Sequence, residues 1–145
     1  MVSVCEIFCT FAEDMKKILF VCHGNICRSP MAEFVMKDLV KKAGREAEFY
    51  IESAATSTEE IGNPVYPPAR RKLAEHGIGC ASKTARQMTR SDYQRFDMII
   101  GMDQWNLRNM RRICGDDPED KISQDTGLYL YYLKFWHVHN VCNIL

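Results

Sequence analysis

Seven residues of this chain carry chemistry at a telling spacing: Cys22-His23-Gly24-Asn25-Ile26-Cys27-Arg28, followed at once by Ser29-Pro30. A thiol offers a nucleophile, and a guanidinium five residues further on offers a planar fork for two phosphate oxygens. Lys17-Ile18-Leu19-Phe20-Val21 precedes the loop as a short apolar run. Such a run suits a strand of a parallel sheet buried on both faces. Ser29-Pro30 follows with the signature of a helix start, Ser as N-cap and Pro at the first helical position. A strand, a turn and a helix N-terminus together make an anion site, because successive backbone N–H groups and the helix dipole face the ligand. Gly24 is expected to permit the tight backbone, and the positive field favours a thiolate at Cys22. Ser29 can donate a hydrogen bond to that thiolate. The assembly suits attack on phosphorus through a cysteinyl-phosphate intermediate, with Arg28 and the backbone amides stabilising the equatorial oxygens. No metal and no organic cofactor enters this chemistry.

The spacing is weak by itself. Chance gives about 0.5 matches to C-x5-R in a chain of this composition, and two occur. The other, Cys80-Ala81-Ser82-Lys83-Thr84-Ala85-Arg86, has no glycine, no preceding apolar strand and Gln87 in place of the hydroxyl. It reads as accidental.

The elements needed to position the loop follow in order. After a strand over 17–22, a helix is expected from Pro30 to about Ala43, with Met31, Phe34, Val35, Leu39 and Val40 as its buried stripe and Gly44 at its end. Phe49 to Ser53 reads as a second strand. Residues 54–68 read as a loop, followed by a helix from Pro68 to His76 that ends at Gly77. Thr89 caps a helix through Phe96, residues 97–101 form a third strand, and Asp103 to Cys114 form a helix ended by Gly115. Strands alternating with helices imply an α/β domain with a parallel sheet. In such sheets ligands bind beyond the carboxyl ends of the strands. Cys22, Ser53 and Asp103 all fall there.

Composition bounds the rest. The chain has 145 residues, 19 basic against 19 acidic side chains, and 46% hydrophobic residues. That fits one domain over 1–145 and argues against disorder, general nucleic-acid binding and acidic-membrane binding. Seven cysteines, an odd number without a convincing signal peptide or a C-x2-C pair, point to the cytoplasm rather than to a secreted disulfide scaffold or structural zinc. No segment is long and apolar enough for a transmembrane helix. Residues 1–14 precede Met15, itself a plausible start. From Leu128 the composition shifts: aromatic residues crowd together, and Lys134 is the one Lys, Arg, Asp or Glu in the last eighteen residues.

Val21-Cys22-His23-Gly24-Asn25-Ile26-Cys27-Arg28-Ser29-Pro30 resembles the phosphate-binding loop of the low-molecular-weight protein tyrosine phosphatases. Ile51-Glu52-Ser53-Ala54 and Gly101-Met102-Asp103 extend the resemblance, which covers about residues 16–122. It implies a three-layer α/β fold with four parallel strands and helices on both faces; the fourth strand is not placed by the sequence. It implies Cys22 as nucleophile, Arg28 as phosphate ligand, Asn25 as keeper of the loop conformation and Ser29 as support for the thiolate. Ser53 and His76 fit the supporting hydrogen-bond network, Asp103 supports the loop, His23 lines the pocket rim, and Cys27 is placed for a reversible disulfide with Cys22. The implied substrates are phosphotyrosine proteins or small aryl phosphates, with inorganic phosphate as product.

The sequence departs from the family in one respect that matters. The family's general acid is an aspartate in an Asp-Pro-aromatic motif, and none occurs in these residues. The lone Asp-Pro, Asp117-Pro118, precedes Glu119 and resembles a different family stretch. Asp125 is the substitute acid by chain position. After Ile122 the resemblance stops, leaving 123–145 as an atypical tail, the expected mark of a frameshift or unusual truncation. Activity is therefore expected on activated aryl phosphates and reduced on phosphotyrosine. Two other functions are kept: a phosphate-binding or regulatory protein without chemistry, and a thiol-dependent arsenate reductase, for which Cys80 and Cys114 are the available relay thiols.

Overall fold

The computed structural model describes residues 15–125. Four strands, β1 (Lys16–Cys22), β2 (Phe49–Ala55), β3 (Met98–Gly101) and β4 (Ile122–Gln124), form one sheet in the order β2-β1-β3-β4. Every pairing is parallel: Cys22 is opposite Ala55, Val21 opposite Gly101, and Gly101 opposite Gln124. The helices are α1 (Arg28–Lys42), α2 (Pro67–Glu75), α3 (Arg90–Arg95) and α4 (Gln104–Cys114), with a 3₁₀ turn at Glu46–Glu48.

The alternation of β1 explains the three layers. Leu19 and Val21 pack with Tyr93 of α3, Phe96 just after it, and Leu107 and Met110 of α4. Ile18, Phe20 and Cys22 face the other way, against Ala32 and Val40 of α1. Both faces of the strand are thus buried, which its unbroken apolar run requires. Chain order runs from β1 to β2 on one side and then to β3 on the other. The carboxyl ends of β1 and β3 therefore flank the topological switch point, where open α/β sheets bind ligands.

Several local expectations change. Helix α1 begins at Arg28 with Cys27 as its N-cap and no side-chain capping bond; Ser29 lies inside the helix, its hydroxyl drawn away by the loop it serves. Leu39 is 37% exposed rather than part of the buried stripe, whereas Glu33 is buried. The tail assigned from 123 contributes to the sheet: Ile122–Gln124 is the fourth strand. Asp117 fixes where it begins, accepting from Tyr93 Oη at 2.6 Å, Lys121 N at 2.7 Å and Ile122 N at 3.0 Å. The readings for residues 1–14 and for the aromatic stretch from Leu128 lie outside the described residues. Among the described residues no helix is long and apolar enough to cross a membrane, and no group of three or more His, Cys, Asp or Glu is arranged to hold a metal ion.

Candidate active site

The loop from Cys22 to Arg28 leaves the end of β1 and turns directly into α1. Its turn is made by Asn25, whose φ of 57° is left-handed, and not by Gly24, which is absent from the positive-φ residues. Asparagine tolerates this region better than most residues. The bareness of Gly24 serves a different end: a Cβ there would stand 3.2 Å from Glu60 Cγ, so the glycine lets the 57–60 segment close against the loop.

Asn25 is 1% exposed and its side chain reaches α1, β2 and the loop at Arg86. Its Nδ2 donates to Ser29 Oγ of α1 at 2.8 Å and to Ser53 Oγ of β2 at 2.9 Å. Its Oδ1 accepts from the backbone N–H of Arg86 at 3.2 Å. The Cys22 sulfur lies 3.0 Å from Ser29 Oγ and receives the Asn25 backbone N–H at 3.3 Å. Two donors thus stand ready for a thiolate. Arg28 Nη1 donates to Asp103 Oδ2 at 2.6 Å, which fixes the guanidinium beside the loop. Asp103 Oδ1 also accepts from Asn106 N at 2.8 Å as the N-cap of α4. Burial pushes the Asp103 carboxyl up, but the Arg28 bond and the Asn106 N–H outweigh it and hold it below the usual carboxylate range.

The remaining loop residues tie the site to its walls. Ile26 O accepts from Tyr66 N at 2.7 Å, the residue capping α2. Cys27 is buried with Met31, Val65, Leu73 and Cys80 between α1 and α2. His23 is half-exposed, with Nε2 3.0 Å from Glu59 Oε2. Its carbonyl accepts from both N–H and hydroxyl of Ser57, at 3.1 and 2.9 Å.

The supporting network differs from the expected one. His76 is exposed at the end of α2, its Nδ1 3.0 Å from Lys72 O. The group that reaches Ser53 from the segment after α2 is Lys83, whose Nζ donates to Ser53 O at 3.0 Å and stands 3.2 Å from Glu33 Oε2. Glu33 in turn accepts from Ser53 Oγ and from Lys37 Nζ, the latter at 2.6 Å. Glu33 was missed although it lies four residues after Ser29, on the same helix face. Lys83 and Arg86 were missed because both lie in the C-x5-R match set aside as accidental. Arg86 is an anchor: its guanidinium binds Asp92 and Glu52 at 2.9 Å each.

Asp125 follows β4, its N–H donating to Gly101 O at 2.8 Å. The strand order puts β3 between it and β1, a lateral offset of about 9–10 Å at ordinary strand spacing. Cys114 packs on the α3–α4 face of the sheet, opposite to Cys22, and burial pushes its thiol up to about 11. Burial also raises the Cys80 thiol. Cys114 is thus on the wrong face of the sheet to relay to Cys22, whereas Cys80 packs in the cluster that holds Cys27.

Comparison with known proteins accords with this geometry. The family model for low molecular weight phosphotyrosine protein phosphatase matches residues 17–129, seven residues beyond the resemblance seen in the sequence. A chicken protein named low molecular weight phosphotyrosine protein phosphatase is 48% identical over 101 residues, 70% of this chain. The match spans 63% of the chicken protein's length. The crystal structure of YfkJ from Bacillus subtilis superposes with a TM-score of 0.73 at 39% identity, covering 76% of this chain and 69% of that one. A low molecular weight protein tyrosine phosphatase from Streptococcus pyogenes gives a TM-score of 0.69 at 43% identity, covering 76% and 71%. With the family model matching residues 17–129 and these solved relatives superposing on most of the chain, the chain belongs to the low molecular weight phosphotyrosine protein phosphatase family.

Proposed function

We propose that this chain is a protein-tyrosine phosphatase that hydrolyses phosphotyrosine or aryl phosphate monoesters through a phosphocysteine on Cys22. One observation carries the reading. The Cys22 sulfur sits against Ser29 Oγ and the Asn25 N–H, at the mouth of a helix whose first residue, Arg28, is held by Asp103. The thiolate attacks phosphorus, the S–P bond forms and the ester P–O bond breaks. Arg28 and the loop amides take the charge on the equatorial oxygens. Water then attacks the phosphocysteine, releasing inorganic phosphate and restoring the thiolate. Asn25 keeps the loop shape through Ser29, Ser53 and Arg86 N, and Asp103 keeps Arg28 in place. The chemistry draws on no metal and no organic cofactor. The partners are phosphotyrosine-bearing proteins or small aryl phosphates, the setting is the cytoplasm, and residues 1–145 act as one unit.

Acid quenching during turnover of 4-nitrophenyl phosphate, followed by peptide mass spectrometry, tests this. A phosphoryl group on the Cys22 peptide that is lost in C22S is the expected result. Hydrolysis without that adduct, or no hydrolysis at all, overturns it; phosphate binding without turnover leaves a phosphate-binding protein. A reversible disulfide between Cys27 and Cys22 is proposed from the family resemblance; loss of activity in peroxide, restored by dithiothreitol and absent in C27S, is its mark.

A further inference from the structure

The in-line attack of Cys22 puts the departing ester oxygen on the far side of phosphorus, so its proton must come from the rim of the loop and not from its floor. Asp103 is unsuited: it lies against Arg28, which keeps it ionised. Among the described residues, His23 follows the nucleophile directly in the loop and holds Glu59 Oε2 on its ring. Resting on the phosphatase reading above, we infer that His23, oriented by Glu59, is the proton donor to the leaving group.

The geometry is that of an imidazole held by a carboxylate. Glu59 Oε2 takes the Nε2 position at 3.0 Å, which fixes the tautomer and leaves Nδ1 as the atom that exchanges a proton with substrate. The backbone of His23 is clamped at its carbonyl by the Ser57 N–H and hydroxyl, so the ring is carried by a fixed main chain. Glu60 Cγ stands 3.2 Å from where a Cβ on Gly24 would lie, so the segment that carries Glu59 packs against the loop residue next to His23. His23 retains 43% side-chain exposure, so the ring is accessible from solvent in the residue next to the nucleophile. An exposed pair of this kind adds little stability; its value is orientation.

The proton count closes. In the first step the Cys22 thiolate forms the S–P bond, the P–O bond breaks, and the leaving aryl oxygen takes the Nδ1 proton of the imidazolium. His23 is left neutral, with Nε2–H still donated to Glu59. In the second step the neutral ring takes a proton from the attacking water as the S–P bond breaks. Phosphate departs, and thiolate and imidazolium are restored. The ring thereby supplies a proton at the leaving oxygen, the step on which a poor leaving group such as a tyrosine phenolate depends most.

The test is the ratio of kcat/KM for 4-nitrophenyl phosphate to that for phenyl phosphate, since the poorer leaving group depends more on protonation. General-acid assistance is worth about 10²-fold at its lower end. H23N is expected to raise the ratio by about 10²-fold, and E59Q, which weakens only the orientation, by a few fold. A variant that merely damages the fold lowers both substrates together and leaves the ratio unmoved. An unchanged ratio in H23N overturns the inference, as does a larger rise in E59Q, which would make Glu59 the acid. A wild-type ratio already as high as that of H23N overturns it too. Wild-type protein that forms no phosphocysteine would fail at the earlier step and refute the phosphatase reading instead.

Discussion

Two lysines grip Glu33, and the shorter contact should matter less. Lys37 lies 2.6 Å from Oε1 and Lys83 3.2 Å from Oε2. Distance alone favours Lys37, because Coulomb energy scales inversely with separation. Exposure reverses the order. The Lys37 side chain is 44% exposed, whereas Lys83 is 13% and Glu33 4%. A solvated i,i+4 pair is worth about 0.3–0.5 kcal/mol. Removing one partner from a buried pair costs about 3–5 kcal/mol when the other charge is stranded. Glu33 would not be fully stranded in K83M, since Lys37 and the Ser53 hydroxyl remain, but Ser53 O also loses its 3.0 Å donor. We expect K83M to cost about 2–3 kcal/mol and K37M about 0.5 kcal/mol, read as urea midpoints at constant m. Ser53 is one of the three groups that hold Asn25. K83M should therefore lower kcat/KM on 4-nitrophenyl phosphate by about tenfold, or ~1.4 kcal/mol. K37M should stay within about twofold on the same scale. Equal costs for the two variants, or a larger one for K37M, would refute the reasoning.

Other expectations follow from the same geometry. Asparagine is as good an N-cap as aspartate, so D103N should keep stability within about 0.5 kcal/mol while kcat/KM falls about 10- to 100-fold through loss of the charged Arg28 contact. D103A should lose the cap as well, about 1 kcal/mol by denaturation. For Asp117, burial pushes the carboxyl up, but the Tyr93 hydroxyl and the Lys121 and Ile122 N–H groups together hold it below its ordinary value. Its contribution is therefore present above the unfolded carboxyl pKa of about 3.9 and lost as pH falls through the folded one. The gap in urea midpoint between wild type and D117N should accordingly be wide at pH 7 and narrow at pH 3; a gap that widens in acid would contradict the sign. With its thiol pushed up to about 11, Cys114 should react with iodoacetamide at pH 7.5 far more slowly than Cys22, and inorganic phosphate should protect Cys22 alone.

What could be read in advance was local. The apolar run of β1, the loop and the Ser-Pro helix start lie within fourteen residues, and their hydrophobic pattern and capping chemistry are visible side by side. Capping also placed α4, whose Asp103 and Gly115 flank it as expected. The misplaced parts depend on distant partners. Glu33 reads as a surface residue of α1 until Ser53 and Lys83, 20 and 50 residues on, arrive to satisfy it. His76 enters the network only through the family resemblance, and in the structure its ring lies at the exposed end of α2, with Nδ1 3.0 Å from Lys72 O. β4 escaped notice because three residues carry little periodicity; Asp117 and the pairing of Ile99 with Ile122 make it a strand.

Ser29 shows why a local rule gave way. As an N-cap its oxygen would satisfy one N–H of α1; inside the helix it serves the reaction instead. A hydroxyl has one proton to give. With Cys22 as thiolate, that proton goes to sulfur at 3.0 Å, while the oxygen accepts from Asn25 Nδ2. Once the sulfur is phosphorylated it is a far poorer acceptor, and the same proton has Ala54 O at 3.4 Å to turn to. Ser29 is fully buried, where an unsatisfied hydroxyl costs about 1–3 kcal/mol. The second acceptor removes that penalty from the intermediate. The site thus stabilises the charge of the nucleophile without burdening the state that follows its use, and this requires a hydroxyl held between the end of β1 and the carbonyl of β2, one residue into the helix that α1 begins.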